Sequence, residues 1–380
     1  MKRSTNRFLT THVGSLPRPA DLVRIMFAKE DGVPIDRTAF DARVAAAVGD
    51  AVRRQREAGI DLVSDGEYSK PNYASYIKDR LTGFDGASEI GRPRDLVEFP
   101  GAAAALNDPG RSRRKFPACT GAVRPRDPTA AEKDLAHLRA ALGDTAIEDA
   151  FVTAASPGVV AHFFRNYHYP SHEAYIEAIA EAMRPEYEAI ARAGFTLQLD
   201  CPDLAMGRNI GFVDRSIADF LAMVRLHVAA LNQAVANIPA EQMRLHLCWG
   251  NYDGPHHHDI EIRDIIDAVF AARPLAISFE AANPRHAHEW AVFETVKVPD
   301  GKVLIPGVIE TKTNYIEHPD LVAQRIARYA DLIGRENVIA GTDCGFGTSV
   351  GQAQVDADVV WAKLATLAEG ARRASAKYWR

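Results

Sequence analysis

The chain has 380 residues, 47% of them hydrophobic and 25% charged, with a formal net charge of −5. That balance belongs to an ordinary globular enzyme: it excludes a broad basic nucleic-acid surface, and no apolar run is long enough to cross a bilayer. The amino terminus, MKRSTNRFLTTHVGSL, lacks the apolar core of a signal peptide, and the four widely spaced cysteines suit a reduced cytoplasm better than a disulfide framework.

In chain order, short apolar runs alternate with helical stretches, a pattern that predicts a parallel α/β sheet. The runs are FLTTHVGSL (8–16), DLVSDGE (61–67), AFVTAASP (150–157), FTLQLDCP (195–202), RLHLCWG (244–250), AISFEAA (276–282), VLIPGVIE (303–310) and NVIAGTDCG (337–345). Eight runs is the barrel number, so the expectation is one (β/α)8 TIM barrel over residues 1–380. Helices over 36–59 and 171–194 each close on a glycine suited to a C-cap, 318–334 repeats the pattern, and Pro185 predicts a kink or break in the second. Residues 82–128, rich in Gly, Pro and Arg and without clean period, lead into a short helix in PTAAEKDLAHLRAALG. Together they read as an insertion after the second strand, about 82–147, of the kind that shapes substrate access.

A barrel's active site lies where its strands finish, and there this chain concentrates polar residues. His12 and Ser15 follow the first run, Asp65 and Glu67 the second, and Asp200 and Cys201 the fourth. His246 and Cys248 end the fifth, Glu280 the sixth, Glu310 and Lys312 the seventh, and Asp343 and Cys344 the eighth. In RLHLCWG, Leu245 and Leu247 take one face, so His246 and Cys248 share the other. Two thiolates, an imidazole and a carboxylate, from His246, Cys248, Glu280 and Cys344, make a tetrahedral Zn2+ set spread over three strands. Against this stands the plainer reading of a buried Cys as a small hydrophobe and a strand His as a satisfied core residue. The run His256, His257, His258 is a rival metal site, but consecutive residues point apart and it follows Gly-Pro, so it reads as a solvated loop or lid.

These motifs together resemble the cobalamin-independent methionine synthase family, specifically its catalytic barrel and the short single-barrel members. THVGSLPRP, DGE, QLDCPDLA, LHLCWG, ISFEAANPR, IPGVIE and GTDCGFGT occur in the family's order over nearly the whole chain. The resemblance implies Zn2+ on His246, Cys248, Glu280 and Cys344, with Ser15, Glu67 and Asp200 holding the amino and carboxyl groups of homocysteine. Phe163 and Phe164 stand near the family's tryptophan and imply a stacking surface for a pterin; His162, Arg165 and His168 nearby also read as loop residues.

Two departures bear on chemistry. The family's Asp-Glu-Pro is here Asp200-Cys201-Pro202, and the proton-donating histidine falls close to Lys312, so Lys312 and Asp200 are the catalytic candidates. The segment RSRRK (111–115) either binds a polyanionic tail or is an exposed charge run. The expected reaction is zinc-dependent methyl transfer from a methyltetrahydrofolate-type donor to homocysteine. The alternative is epoxide opening by coenzyme M, with Arg18 or Arg165 on the sulfonate, and a third class is a metal-binding barrel without transferase activity. The expected partners are a small-molecule thiol and an alkyl donor, without nucleic acid or membrane, and homo-oligomerisation is left open.

Overall fold

The computed structural model describes residues 1–106, 116–127, 129–143, 147–352 and 354–379; RSRRK lies outside them. Seven strands form one parallel sheet in chain order: β1 (Leu62–Val63), β2 (Asp149–Ala155), β3 (Thr196–Asp200), β4 (Met243–Leu247), β5 (Ala276–Phe279), β6 (Val303–Ile309) and β7 (Gly341–Thr342). Helices between successive strands cover its outer face, as parallel crossovers require. None of the helices among the described residues is long and apolar enough to cross a membrane.

The sheet's two edges are joined through the first predicted run, which is a bridge rather than a strand. Thr10 pairs with Ala340 beyond β6, and its carbonyl accepts from Leu62 of β1 at 3.0 Å. The ladder stops there because Asp61 competes for its donor: the Asp61 carboxylate accepts the Thr10 amide at 2.9 Å and the Thr10 hydroxyl at 3.0 Å. The eighth run is likewise shortened to Gly341–Thr342, beside a register shift in β6 between Gly307 and Ile309. A Cβ on Gly307 would meet the backbone of Asp343, so glycine is required for this approach.

The expected helices form. Arg37–Glu57 is capped by the Asp36 carboxylate and buries Val44, Ala47, Val48, Ala51, Val52 and Gln55, the stripe of a helix packed on a sheet. His172–Arg192 runs through Pro185 unbroken, which removes the expectation of a break there. Its packed face, including Tyr175, Ile179, Met183, Tyr187 and Ile190, outweighs one missing backbone donor. Between β1 and β2 the chain carries an antiparallel pair (Phe84–Asp85 with Ala118–Cys119) and the helices Ile77–Arg80, Arg94–Glu98, Pro100–Leu106 and Thr129–Leu142.

Inside the sheet, Arg244 of β4 is fully buried and ties three segments together. It donates to Gln198 Oε1 on β3 at 2.7 Å, to Thr11 Oγ1 at 2.9 Å and to the His12 carbonyl at 2.7 Å. Its guanidinium lies 3.4 Å from the centroid of the Phe151 ring. Arg244→Met is therefore expected to reduce stability by about 3 kcal/mol or more, because three buried acceptors lose their donor. An unchanged urea midpoint would refute this.

Candidate active site

Parallel register brings the strand ends level. Asp200 pairs with His246, and His246 with Ser278, so the residues that follow each strand meet in one cleft. Its lining includes Ser15, Glu67, Tyr73, Asp200, His246, Cys248 and Cys344.

At one side, ligand atoms of His246, Cys248 and Cys344 all lie within 4.8 Å of one another. The two sulfurs are 3.7 Å apart. Both ring nitrogens of His246 are buried without a hydrogen-bond partner, a costly state for a satisfied core histidine and a natural one for a ligand. The thiols divide unequally: Cys248 donates to Cys344, which holds Cys344 down to about 5 and pushes Cys248 up. A thiolate beside a thiol and an imidazole is a donor set for a thiophilic ion such as Zn2+.

Glu280 stands next to this trio. Its Oε1 is 3.5 Å from Cys248 Sγ and accepts the Trp249 amide at 3.0 Å; its Oε2 accepts from Asn283 at 2.8 Å and Lys312 at 2.9 Å. Burial opposes ionisation of Glu280, but Lys312 foremost overcomes it and brings the carboxyl down to about 2. Asp343 sets the turn beyond Glu280, taking the amides of Ala281, Ala282 and Asn283 at 2.7–2.8 Å.

Ser15, Glu67 and Asp200 line the same cleft. Ser15 is bound into both neighbouring loops: its carbonyl accepts from Phe346 at 2.9 Å, and Leu16 donates to Gly66 at 3.1 Å. A Cβ on Gly345 would strike Ser15 Oγ, so glycine is needed for the chain to pass. Glu67 has a φ of 59°, held by its amide's 2.9 Å bond to Asp65 Oδ1; such left-handed backbone is strained for a residue with a Cβ. Glu67 Oε2 is buried without a partner. Burial, then repulsion by Asp200, raises Glu67 to about 7, while burial raises Asp200 to about 6. Two carboxyls poised near neutrality with an orphan oxygen are groups a cation would pair with.

Other residues singled out from sequence serve the framework. His12 accepts the Gly14 amide at Nδ1 (3.1 Å) and donates from Nε2 to Gln55 (2.7 Å); burial lowers it to about 4. Cys201 is buried under β3, Glu310 accepts amides of the Lys312–Thr313 turn, and Phe164 is packed against Phe84 and Phe116. Phe163 stacks on Phe116 at 4.8 Å and meets Tyr73 edge-on at 6.0 Å, so Tyr73 is the aromatic face in the cleft and Phe163 stands behind it. Tyr73, Asn251 and Thr348 in the lining escaped sequence reasoning, as did buried Lys70, which donates to Thr153 and offsets the charge of Glu67 and Asp200. Their proximity to DGE, CWG and DCG was the available signal.

The catalytic domain of cobalamin-independent synthases matches residues 152–365. Methionine synthase of Thermococcus kodakarensis is 24% identical over 362 residues, 95% of this chain and 91% of that one. 2-hydroxypropyl-CoM lyase of Xanthobacter autotrophicus is 24% identical over 344 residues, 82% of each chain. The structure of a B12-independent methionine synthase from Shewanella sp. W3-18-1 in complex with selenomethionine aligns with a TM-score of 0.74 at 20% identity, covering 98% of this chain and 99% of that one, which shows a shared fold.

Two outcomes are expected from this geometry. In metal-free protein, iodoacetamide should label Cys344 at lower pH than Cys119 and Cys201, whose thiols burial pushes up; the reverse order would contradict it. For Glu67, a folded value of about 7 against an ordinary 4.5 means stability is present below pH 4.5 and lost as pH rises through 7. Glu67→Gln should therefore stabilise the ligand-free protein at pH 8 by on the order of 1–3 kcal/mol, with little gain at acid pH. Thermal melts at both pH values check the sign.

Proposed function

The chain belongs to the family of cobalamin-independent synthase catalytic domains, and from that premise we propose that it transfers an alkyl group to a thiol with the aid of zinc. The specific reaction proposed is methyl transfer from a methyltetrahydrofolate-type donor to homocysteine. What carries this reading is the presence of Ser15, Glu67 and Asp200 in the same cleft as His246, Cys248 and Cys344. We also read residues 1–380 as a single (β/α)8 barrel with 82–147 inserted in it, and the four free cysteines as suited to the cytoplasm.

His246, Cys248 and Cys344 would hold the zinc, with Glu280 as the exchangeable fourth ligand; the unpartnered imidazole and paired sulfurs fit that ion. When bound, zinc supplies the means to keep an acceptor thiol ionised at neutral pH with a lone pair free for attack. Lys312 is assigned the holding of Glu280 rather than proton donation, because its largely covered ammonium is engaged in an ion pair with that carboxylate. Glu67 and Asp200 receive the substrate ammonium, since a cation between them relieves the repulsion and lets both ionise. Ser15 offers its hydroxyl to the substrate's polar end, and Tyr73 backed by Phe163 gives a flat donor an aromatic wall.

The coenzyme M reading draws on the lyase relative, but a sulfonate needs an available cation. Arg18 is committed to backbone carbonyls of Glu67 (3.0 Å), Lys70 (2.9 Å) and Gly347. Arg165 is exposed and donates to the Glu89 carbonyl at 3.0 Å, away from the lining residues. Two carboxyls in the cleft favour an amino acid over a sulfonate.

Calorimetry of zinc-loaded protein against both thiols tests the assignment. Homocysteine is expected to bind saturably and coenzyme M not at all; the reverse result would replace the first reaction by the second. Glu67→Gln should weaken homocysteine by about tenfold or more, from loss of a charge-assisted bond. Cys248→Ser and Cys344→Ser should each lose the zinc held in the cleft, roughly one equivalent of what the parent binds.

A further inference from the structure

Among the described residues, a second group of metal-ligating side chains lies apart from the first: Glu98, His257 and His258, all exposed. Glu98 ends the helix Arg94–Glu98, and the histidines lie on the loop after β4. His257 Nε2 is 2.9 Å from one Glu98 oxygen and His258 Nε2 is 2.9 Å from the other. The two rings lie 4.1 Å apart, and all three ligand atoms fall within 4.8 Å of one another.

Consecutive side chains ordinarily diverge, and the loop is built to prevent it. His256 takes a left-handed φ of 55° and turns inward, bonding Asp259 at 2.7 Å and the Tyr252 carbonyl at 2.9 Å. That reversal leaves His257 and His258 together on the outside. The opposing helix is fixed against them by Asp95, a fully buried carboxylate that accepts from Tyr252 Oη at 2.6 Å and the His256 amide at 2.8 Å. Glu98 is one helical turn beyond Asp95 and so stands over the histidine pair. Phe99 meets His257 edge-on at 5.5 Å, adding an apolar contact to the same joint.

We propose that Glu98, His257 and His258 form a second site for a divalent ion of the zinc, nickel or copper class. The ion would clasp the helix Arg94–Glu98 to the loop whose earlier residues Gly250 and Asn251 line the cleft. Ligand atoms about 2.0–2.1 Å from a tetrahedral centre stand about 3.4 Å apart, and three ligand atoms that already lie within 4.8 Å of one another reach that spacing by changes of about 1.4 Å at most. The ion takes the place of the Nε2 protons, each neutral ring keeping its single proton on Nδ1, and water completes its shell. Arg94 gives up its 3.0 Å bond to Glu98 and keeps its 3.3 Å bond to Asp214. The proposal does not depend on the reaction assigned to the cleft.

The test is metal titration of tag-free, full-length protein. With Ni2+ followed by calorimetry, the parent is expected to bind one equivalent more than the His257→Ala, His258→Ala double variant, and Glu98→Gln to weaken that equivalent. The Cys248→Ser, Cys344→Ser double variant should retain it, which separates it from the cleft. Cu2+ spectra should carry coupling to histidine nitrogens that disappears in the histidine variant. Equal stoichiometry in parent and histidine variant, or nitrogen coupling that survives the substitutions, would overturn the proposal.

Discussion

Parallel pairing is the constraint from which the rest follows. Each strand contributes carboxyl-end residues at nearly the same height because its neighbour fixes its register, as Asp200 does with His246 and His246 with Ser278. A slip of one residue would turn His246 and Cys248 to the other face of the sheet and replace them with Leu245 and Leu247. Arg244, on the same strand, works against such a slip by anchoring β4 to Gln198 and to the Thr11–His12 backbone. The interior anchor and the ligand pair are thus two levels of one strand.

The same arrangement concentrates buried charge, which the fold has to balance. Glu280 is matched by Lys312, while Asp343 is satisfied by three backbone amides. Glu67 and Asp200 are less fully compensated: Lys70 and Arg18 draw Glu67 down, yet burial prevails. That imbalance is localised where a cationic ligand end can enter, and it coincides with the left-handed backbone at Glu67. Under the proposed function, stability is conceded at the position where substrate binding would restore it.

Much of the candidate site was legible from residue type and order, because a parallel barrel gathers the residues that end its strands, although His12, Glu310 and Asp343 proved to serve the framework. The i, i+2 pair in RLHLCWG and the distant Cys344 do converge. Less legible was the company each residue keeps. The spacing with Cys248 set His246 apart, but only the structure shows that His12 is locked between Gly14 and Gln55 while the ring nitrogens of His246 are left unpartnered. The outer histidines were discounted because neighbours diverge in regular backbone; one residue at φ 55° removes the premise.

The sequence by itself determined the alternation of runs and helices, and with it a parallel sheet whose rim holds thiols, imidazole and carboxylates, since periodicity and residue chemistry are local properties. Only the tertiary structure decided that the first run closes the sheet by a bridge and not a full strand. It alone decided that Tyr73 fronts Phe163, and that Lys312 pairs with Glu280. Those outcomes depend on which groups from distant segments reach a given donor or acceptor first. Competition for partners in three dimensions has no counterpart in one.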